Sequence, residues 1–283
     1  PLAQRLLQSS AGEVTFRSAV AGALHALVAD HVVRERIIFP GAGYLELARA
    51  VACMGPTVLH AALRGVFFLQ PLAVEVDGLH VECANLHEHF EVRSSEVGGA
   101  SAPLADAVVH CSGSIASHAM GDLPRTDHAA MHGSQCVLPV PISAFYDGFD
   151  AVGLQYGPGY RTIERAWGGS SAAIAQLLTR TDQQGTQVHP ADLDDALCIG
   201  AIASSGSGGS DETQLPFAVD TARLQGSSGA LWAVVEQQQG PQAVAVGLGA
   251  AAHRPQAQAP PRHPHRAAHA GILPHHLASR THV

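Results

Sequence analysis

The sequence predicts an α+β chain in two similar halves, in each of which strand-like segments gather around one apolar helix. Three observations carry this expectation. Hydrophobic runs with strand character fill the first third of the chain, the segment Gly43 to Met54 interrupts them with helical spacing, and the same succession returns after Pro139.

Along the chain, strands are expected at Val14 to Val20, Ala26 to Val33, Arg36 to Phe39, Leu63 to Leu72 and Leu79 to Cys83. The first helix sets Leu45, Ala48, Ala52 and Leu47, Val51 at helical spacing, opened by Pro40-Gly41-Ala42 and closed by Gly55-Pro56. Its interior is polar only at Glu46 and Arg49, which suits a buried helix wrapped by a sheet. Ser94 to Pro103 and Ser117 to Gly133 are rich in small and polar residues and read as loops. A helical piece then spans Ser143 to Asp150, with strands at Arg161 to Trp167 and Ser171 to Thr179. The second long helix, His189 to Ser204, has Pro190 in its first turn and Asp192, Asp194 and Asp195 near its positive end. Ser204 to Ser210 reads as a flexible connector, and LPFAVDTARLQG and ALWAVVEQ as further strands. The expected division is 1–120, a linker at 121–138, 139–250, and a disordered Ala-, Pro- and His-rich tail at 251–283.

Composition narrows the function. The 283 residues include no lysine, and 16 basic against 24 acidic side chains leave a net charge of −8, so no nucleic-acid partner is expected. A 46% hydrophobic share with 14% charged residues can bury a core. No stretch approaches the roughly 18 apolar residues of a membrane helix, and PLAQRLLQSSAGEV lacks a signal pattern. The five cysteines, odd in number and without a CxxC pair, suggest neither a disulfide framework nor a thiolate metal site. A reducing, cytoplasmic setting is expected.

Three ordered segments carry chemistry: HVVRERIIFPGAGYLELARA from His31, LQYGPGYR from Leu154, and HPADLDDAL from His189. Together they resemble the dehydratase domain of modular polyketide and fatty acid synthases. The family's HxxxGxxxxP followed by GAGYLE is matched at His31, Pro40 and Gly41 to Glu46. Its YGP element is matched at Tyr156, Gly157 and Pro158, and its HPALLD element at His189, Pro190, Ala191, Leu193 and Asp194. FYDGF, Phe145 to Phe149, and LPFAVDTARL are weaker echoes. The resemblance implies a double hotdog fold, in which two curved antiparallel sheets each wrap a central apolar helix. It also implies loss of water from a β-hydroxyacyl thioester, giving an α,β-unsaturated acyl group. The substrate would arrive on the phosphopantetheine of a separate acyl carrier protein domain, among neighbouring synthase domains, with a homodimer possible. No metal or redox cofactor is implied.

Elimination of water needs a base for the α-proton and an acid for the departing β-hydroxyl. Neutral imidazole, with an ordinary pKa of about 6.5, serves as base near neutrality. By resemblance His31 is the base and Asp194 the acid. A carboxyl that donates at neutral pH must be kept protonated by burial, against the positive end of its helix. Gly157 and Pro158 would shape a tunnel wall, and the Tyr156 hydroxyl could orient the substrate. Backbone N–H groups at Gly41 and Gly43 could face a developing enolate oxygen.

Plainer readings stand beside these. The three aspartates could be only a charged helix start, and Tyr156-Gly157-Pro158 a turn with an aromatic plug. HPH at His263 to His265 and the pair His275-His276 could bind a metal, although a disordered composition suits the tail better. Two positions depart from the family pattern. Glu35 stands where the family has glycine, and Cys198 where it has Gln or His, a weaker hydrogen-bond partner for Asp194. A catalytically silent double hotdog that binds acyl chains or acts as a spacer, and a double-bond isomerase or product-template-like domain, are the alternatives.

Overall fold

A computed structural model describes residues 1–10, 13–53, 61–96, 107–116, 128–204, 218–224, 229–237 and 244–250. The elements run β1 (Arg5–Ser10), β2 (Glu13–Ala19), α1 (Ala23–Val28), β3 (Val32–Val33), β4 (Arg36–Ile37), α2 (Gly41–Ala52), β5 (Ala61–Phe68), β6 (Leu79–Leu86), β7 (His89–Glu96) and β8 (Val108–Ala116). Then follow α3 (His128–Ser134), β9 (Leu138–Val140), α4 (Ile142–Ala151), a 3-10 turn at Pro158–Tyr160, β10 (Ile163–Gly168) and β11 (Ala172–Leu177). The last elements are α5 (Pro190–Cys198), α6 (Gly200–Ser204), β12 (Ala218–Leu224), β13 (Leu231–Gln237) and β14 (Val244–Ala250).

The first sheet has the order β1-β2-β6-β7-β8-β5-β12 and the second β14-β13-β11-β10-β9, with every pairing antiparallel. α2 lies against β2, β5, β6, β7 and β12, and α5 against β13 and β14. Two antiparallel sheets, each holding a buried helix, form the double hotdog that the sequence resemblance implies.

The first helix, α2, is buried because little on it needs water. Ala42, Leu45, Leu47, Ala48 and Val51 of α2 are all in the core. Its two charges satisfy each other, Arg49 donating to Glu46 through Nε (2.5 Å) and Nη2 (2.8 Å). Glu46 Oε1 also accepts the backbone N–H of Gln187 at 2.8 Å, tying α2 to the chain that enters α5.

The halves interlock. β12 lies beyond the second helix in sequence, yet it pairs with β5 of the first sheet, Ala222 opposite Leu63. Leu193 of α5 and Val188 sit in the hydrophobic cluster around α2, while Val33 sits in the cluster around α5. Each hydrophobic cluster thus takes residues from the other half.

Several local expectations change. Ala26 to Val33 is not a strand: Leu24, Leu27 and Val28 point one way from the short helix α1, and only Val32–Val33 is extended. Residues 128–134, expected as loop, form α3, which buries His128 and Met131. His189 to Ser204 divides into α5 and α6 around Ile199. β7 continues through Glu96, past the expected loop start at Ser94. The rest of both expected loops, the 205–210 part of the connector and the tail from 251 lie outside the described residues.

Candidate active site

The tip of the β3–β4 hairpin turns through Arg34 (φ 49°) and Glu35 (φ 64°), two consecutive left-handed residues as in a type I′ turn. Three backbone bonds join this region to the second half: Arg34 N–H to Gly153 O (2.7 Å), Gln155 N–H to Val32 O (2.8 Å) and Gly157 N–H to Asp30 O (2.8 Å). His31 therefore lies beside the YGPGY segment by backbone pairing, independently of side-chain packing.

The His31 ring is oriented from behind. Its Nδ1 is 2.7 Å from the carbonyl of Ile38. A carbonyl only accepts, so Nδ1 carries the hydrogen and the neutral ring keeps its lone pair on Nε2. Nε2 lies 3.8 Å from Asp194 Oδ1, and both side chains are buried. The rings of Tyr156 and Tyr160 each lie 5.3 Å from the imidazole, centroid to centroid.

The three aspartates of α5 have separate tasks. Asp195 Oδ2 accepts from Tyr146 Oη (2.9 Å), Thr162 N (2.5 Å) and Thr162 Oγ1 (2.7 Å), anchoring α5 to α4 and β10. Burial pushes its carboxyl up to about 7, against the pull of the Thr162 and Tyr146 hydrogen bonds. Asp192 is paired with Arg180 Nε at 2.8 Å. Asp194 alone faces His31, and its Oδ2 is buried with no hydrogen-bond partner among the described residues. The helix opens on His189, whose Nδ1 accepts from Ala191 N at 3.2 Å while Nε2 donates to Gln184 Oε1 at 2.9 Å. Burial, helped by nearby Arg180, lowers the His189 pKa to about 3, so the cap is a neutral imidazole.

The expected substrate-facing residues divide. The Tyr156 hydroxyl meets Cys198 Sγ at 3.5 Å, and burial, followed by the charge of Asp194, raises its pKa far above the ordinary phenol value. Burial and then Asp194 and Asp195 likewise raise the Cys198 pKa, keeping a neutral thiol. Pro158 opens the 3-10 turn that leads to Tyr160. A Cβ on Gly157 would come within 2.5 Å of the Asp30 side chain, so glycine is required there by close approach. Pro40 is the extended residue capping α2. Gly43 does not offer the expected free donor, because its N–H is given to Pro40 O at 2.9 Å. Its lack of a side chain instead admits the Phe39 ring, 2.7 Å from where a Cβ would stand. Gly41 is the first residue of α2, and a Cβ on it would stand 3.4 Å from the Phe68 ring.

Sequence reading missed Asp30, Tyr160, Thr162 and Arg180. Tyr160 was visible within YGPGYR as a second aromatic four residues after Tyr156. Thr162, Arg180 and Asp30 carry no signal beyond their neighbours. Among the described residues no three His, Cys, Asp or Glu side chains converge as metal ligands would. The histidines of the tail lie outside them.

Residues 1–96 match the family model described as polyketide synthase dehydratase domain, and residues 124–249 that described as polyketide synthase dehydratase N-terminal domain. Polyketide synthase PksN of Bacillus subtilis is 28% identical over 231 residues, which are 76% of this chain and 4% of that protein. Polyketide synthase GfsE of Streptomyces halstedii is 31% identical over 232 residues, 77% of this chain and 6% of that protein. The chain thus spans only about a twentieth of the length of these relatives. Among solved structures, the dehydratase domain from the CurK module of curacin polyketide synthase superposes with a TM-score of 0.76 at 22% identity, covering 88% of this chain and 92% of that one.

Proposed function

The chain belongs to the polyketide synthase dehydratase family, and from that membership and the site geometry we propose that it removes water from β-hydroxyacyl thioesters. The observation that carries the reading is the buried pair His31 and Asp194, with Nε2 and Oδ1 3.8 Å apart across the seam between the halves. His31 Nε2 takes the α-proton, and the C–H electrons become the new Cα–Cβ π bond. The Cβ–O bond breaks, and protonated Asp194 gives its proton to the leaving hydroxyl, releasing water. The products are an imidazolium and a carboxylate, and transfer of one proton between these neighbours resets the pair. The Ile38 carbonyl steadies the imidazolium through Nδ1–H. The Tyr156 hydroxyl orients the substrate, and the Gly41 N–H at the start of α2 faces the enolate oxygen as charge develops. Double-bond migration needs no protonated leaving group, so the paired acid favours dehydration.

The acyl chain arrives as a thioester on the phosphopantetheine of an acyl carrier protein domain within a larger synthase, as the size of the relatives supports. The chemistry draws on no metal or redox cofactor. Among the described residues no helix is long and apolar enough to cross a membrane. The five cysteines are free thiols.

The test is mass spectrometry of a β-hydroxybutyryl carrier-protein thioester incubated with the chain. Loss of one water is expected. His31→Phe and Asp194→Asn should each abolish it while far-ultraviolet circular dichroism stays unchanged, and turnover surviving either substitution refutes the assignment.

A further inference from the structure

We propose that Asp30 and Arg180 are positioning residues, which set the distance between base and acid by gripping opposite sides of Gly159. This rests on the dehydratase reading of His31 and Asp194. Asp30 directly precedes the base and Asp192 stands two residues before the acid, on different halves of the molecule. One string of hydrogen bonds joins them. Asp30 Oδ2 accepts the Gly159 N–H at 2.6 Å. The Gly159 carbonyl accepts from Arg180 Nη2 at 3.3 Å, and Arg180 Nε donates to Asp192 Oδ1 at 2.8 Å.

The local chain is fitted to this string. A Cβ on Gly159 would stand 2.8 Å from Asp30 Oδ2, and one on Gly157 would collide with the same carboxylate, so both glycines are matched to Asp30. Gly157 N–H also bonds the Asp30 carbonyl. Asp30 thereby holds Gly157 and Gly159, within the chain between Tyr156 and Tyr160, whose rings flank the imidazole. Arg180 suits the other end because its planar guanidinium presents separate N–H groups to a carbonyl and a carboxylate at once. Asp192 is almost wholly buried, so its pairing fixes the first turn of α5, and Asp194 follows in the next turn. Loosening either end lets the halves settle at another separation, and a misplacement of about 1 Å costs on the order of 100-fold in rate.

The test is a double-mutant cycle on the full chain with the carrier-protein thioester. Asp30→Ala and Arg180→Met should each lower kcat by about 10- to 100-fold with KM nearly unchanged. The double variant should be no slower than the worse single one, because both break the same string. Asp30→Asn, which keeps an acceptor for Gly159 N–H, should recover most of the loss. Wild-type kcat in either single variant, losses that multiply in the double, or a rise in KM alone would overturn the proposal. If the folded wild-type chain leaves the thioester intact, the dehydratase reading fails instead. The string is then judged on the unfolding midpoints of the same proteins, where coupled shifts support it and simply additive ones overturn it.

Discussion

At Cys198 the proposed acid can be tested through a single side chain. It lies one helical turn after Asp194, and its thiol meets the Tyr156 hydroxyl, while Asp194 Oδ2 finds no donor among the described residues. Cys198→Gln would place an amide on that face of α5. One added hydrogen bond contributes about 1 kcal/mol, so turnover should rise roughly fivefold. An unchanged kcat would show that the position does not support Asp194. Glu35 is a different kind of departure. Its side chain is exposed, and its backbone sits at φ 64°, which disfavours any residue with a Cβ. The backbone N–H to Gln155 Oε1 (2.7 Å) does not depend on the side chain. Glu35→Gly should therefore stabilise the chain by about 1 kcal/mol without changing kcat, as calorimetry and the turnover assay would report.

At the scale of the element, α5 is set by its cap as much as by its packing. His189 accepts a proton near pH 6.5 in the unfolded chain and only near pH 3 when folded. Between these values the unfolded state binds the extra proton, so the contribution of His189 is full above pH 6.5 and is lost as pH falls through that window. Asp195 works in the opposite sense: folded at about 7 against about 3.9 unfolded, its contribution is lost as pH rises from about 4 to 7. His189→Asn keeps a capping acceptor and removes only the first slope. Asp195 offsets the His189 slope over part of this range, so the sign is read from the difference: relative to the wild type, the melting temperature of the variant should rise as pH falls from about 7 to 5, and a constant difference would show that His189 is not what titrates. Much of α5 was legible, because HPADLD shows the proline, the acids and the frame that singles out Asp194. The break at Ile199 was not, although Gly200 directly follows it, because a lone glycine inside an apolar run is tolerated within a helix. α2 could be read because its apolar residues recur on every face. α1 was obscured by Val28, Val32 and Val33, β-branched residues whose strand character outweighed the helical spacing of Leu24, Leu27 and Val28. What divides the roles of Asp192, Asp194 and Asp195 is partners distant in sequence, Arg180, His31, and Thr162 with Tyr146, and no local pattern contains them.

At the scale of the whole molecule, the proposed dyad would need the two halves to hold one separation, since each half contributes one member. β12 closes the first sheet from beyond α5, Leu193 fills the first core, and Val33 fills the second. Such sharing predicts a single cooperative transition rather than the successive melting of two domains. The two tryptophans provide the test, because Trp167 in β10 and Trp232 in β13 both report on the second sheet. Leu63 is fully buried in β5 of the first sheet, opposite Ala222 of β12. Leu63→Ala leaves a cavity there and should cost about 2–5 kcal/mol, on the order of 10 °C in melting temperature for a chain of this size. If the halves are one cooperative unit, tryptophan fluorescence and far-ultraviolet circular dichroism should shift together by that amount. A fluorescence transition left in place while the circular dichroism splits would show instead that the second sheet stands alone. In that case the separation of His31 from Asp194 would rest on the seam contacts through Gly159 without the support of the shared cores.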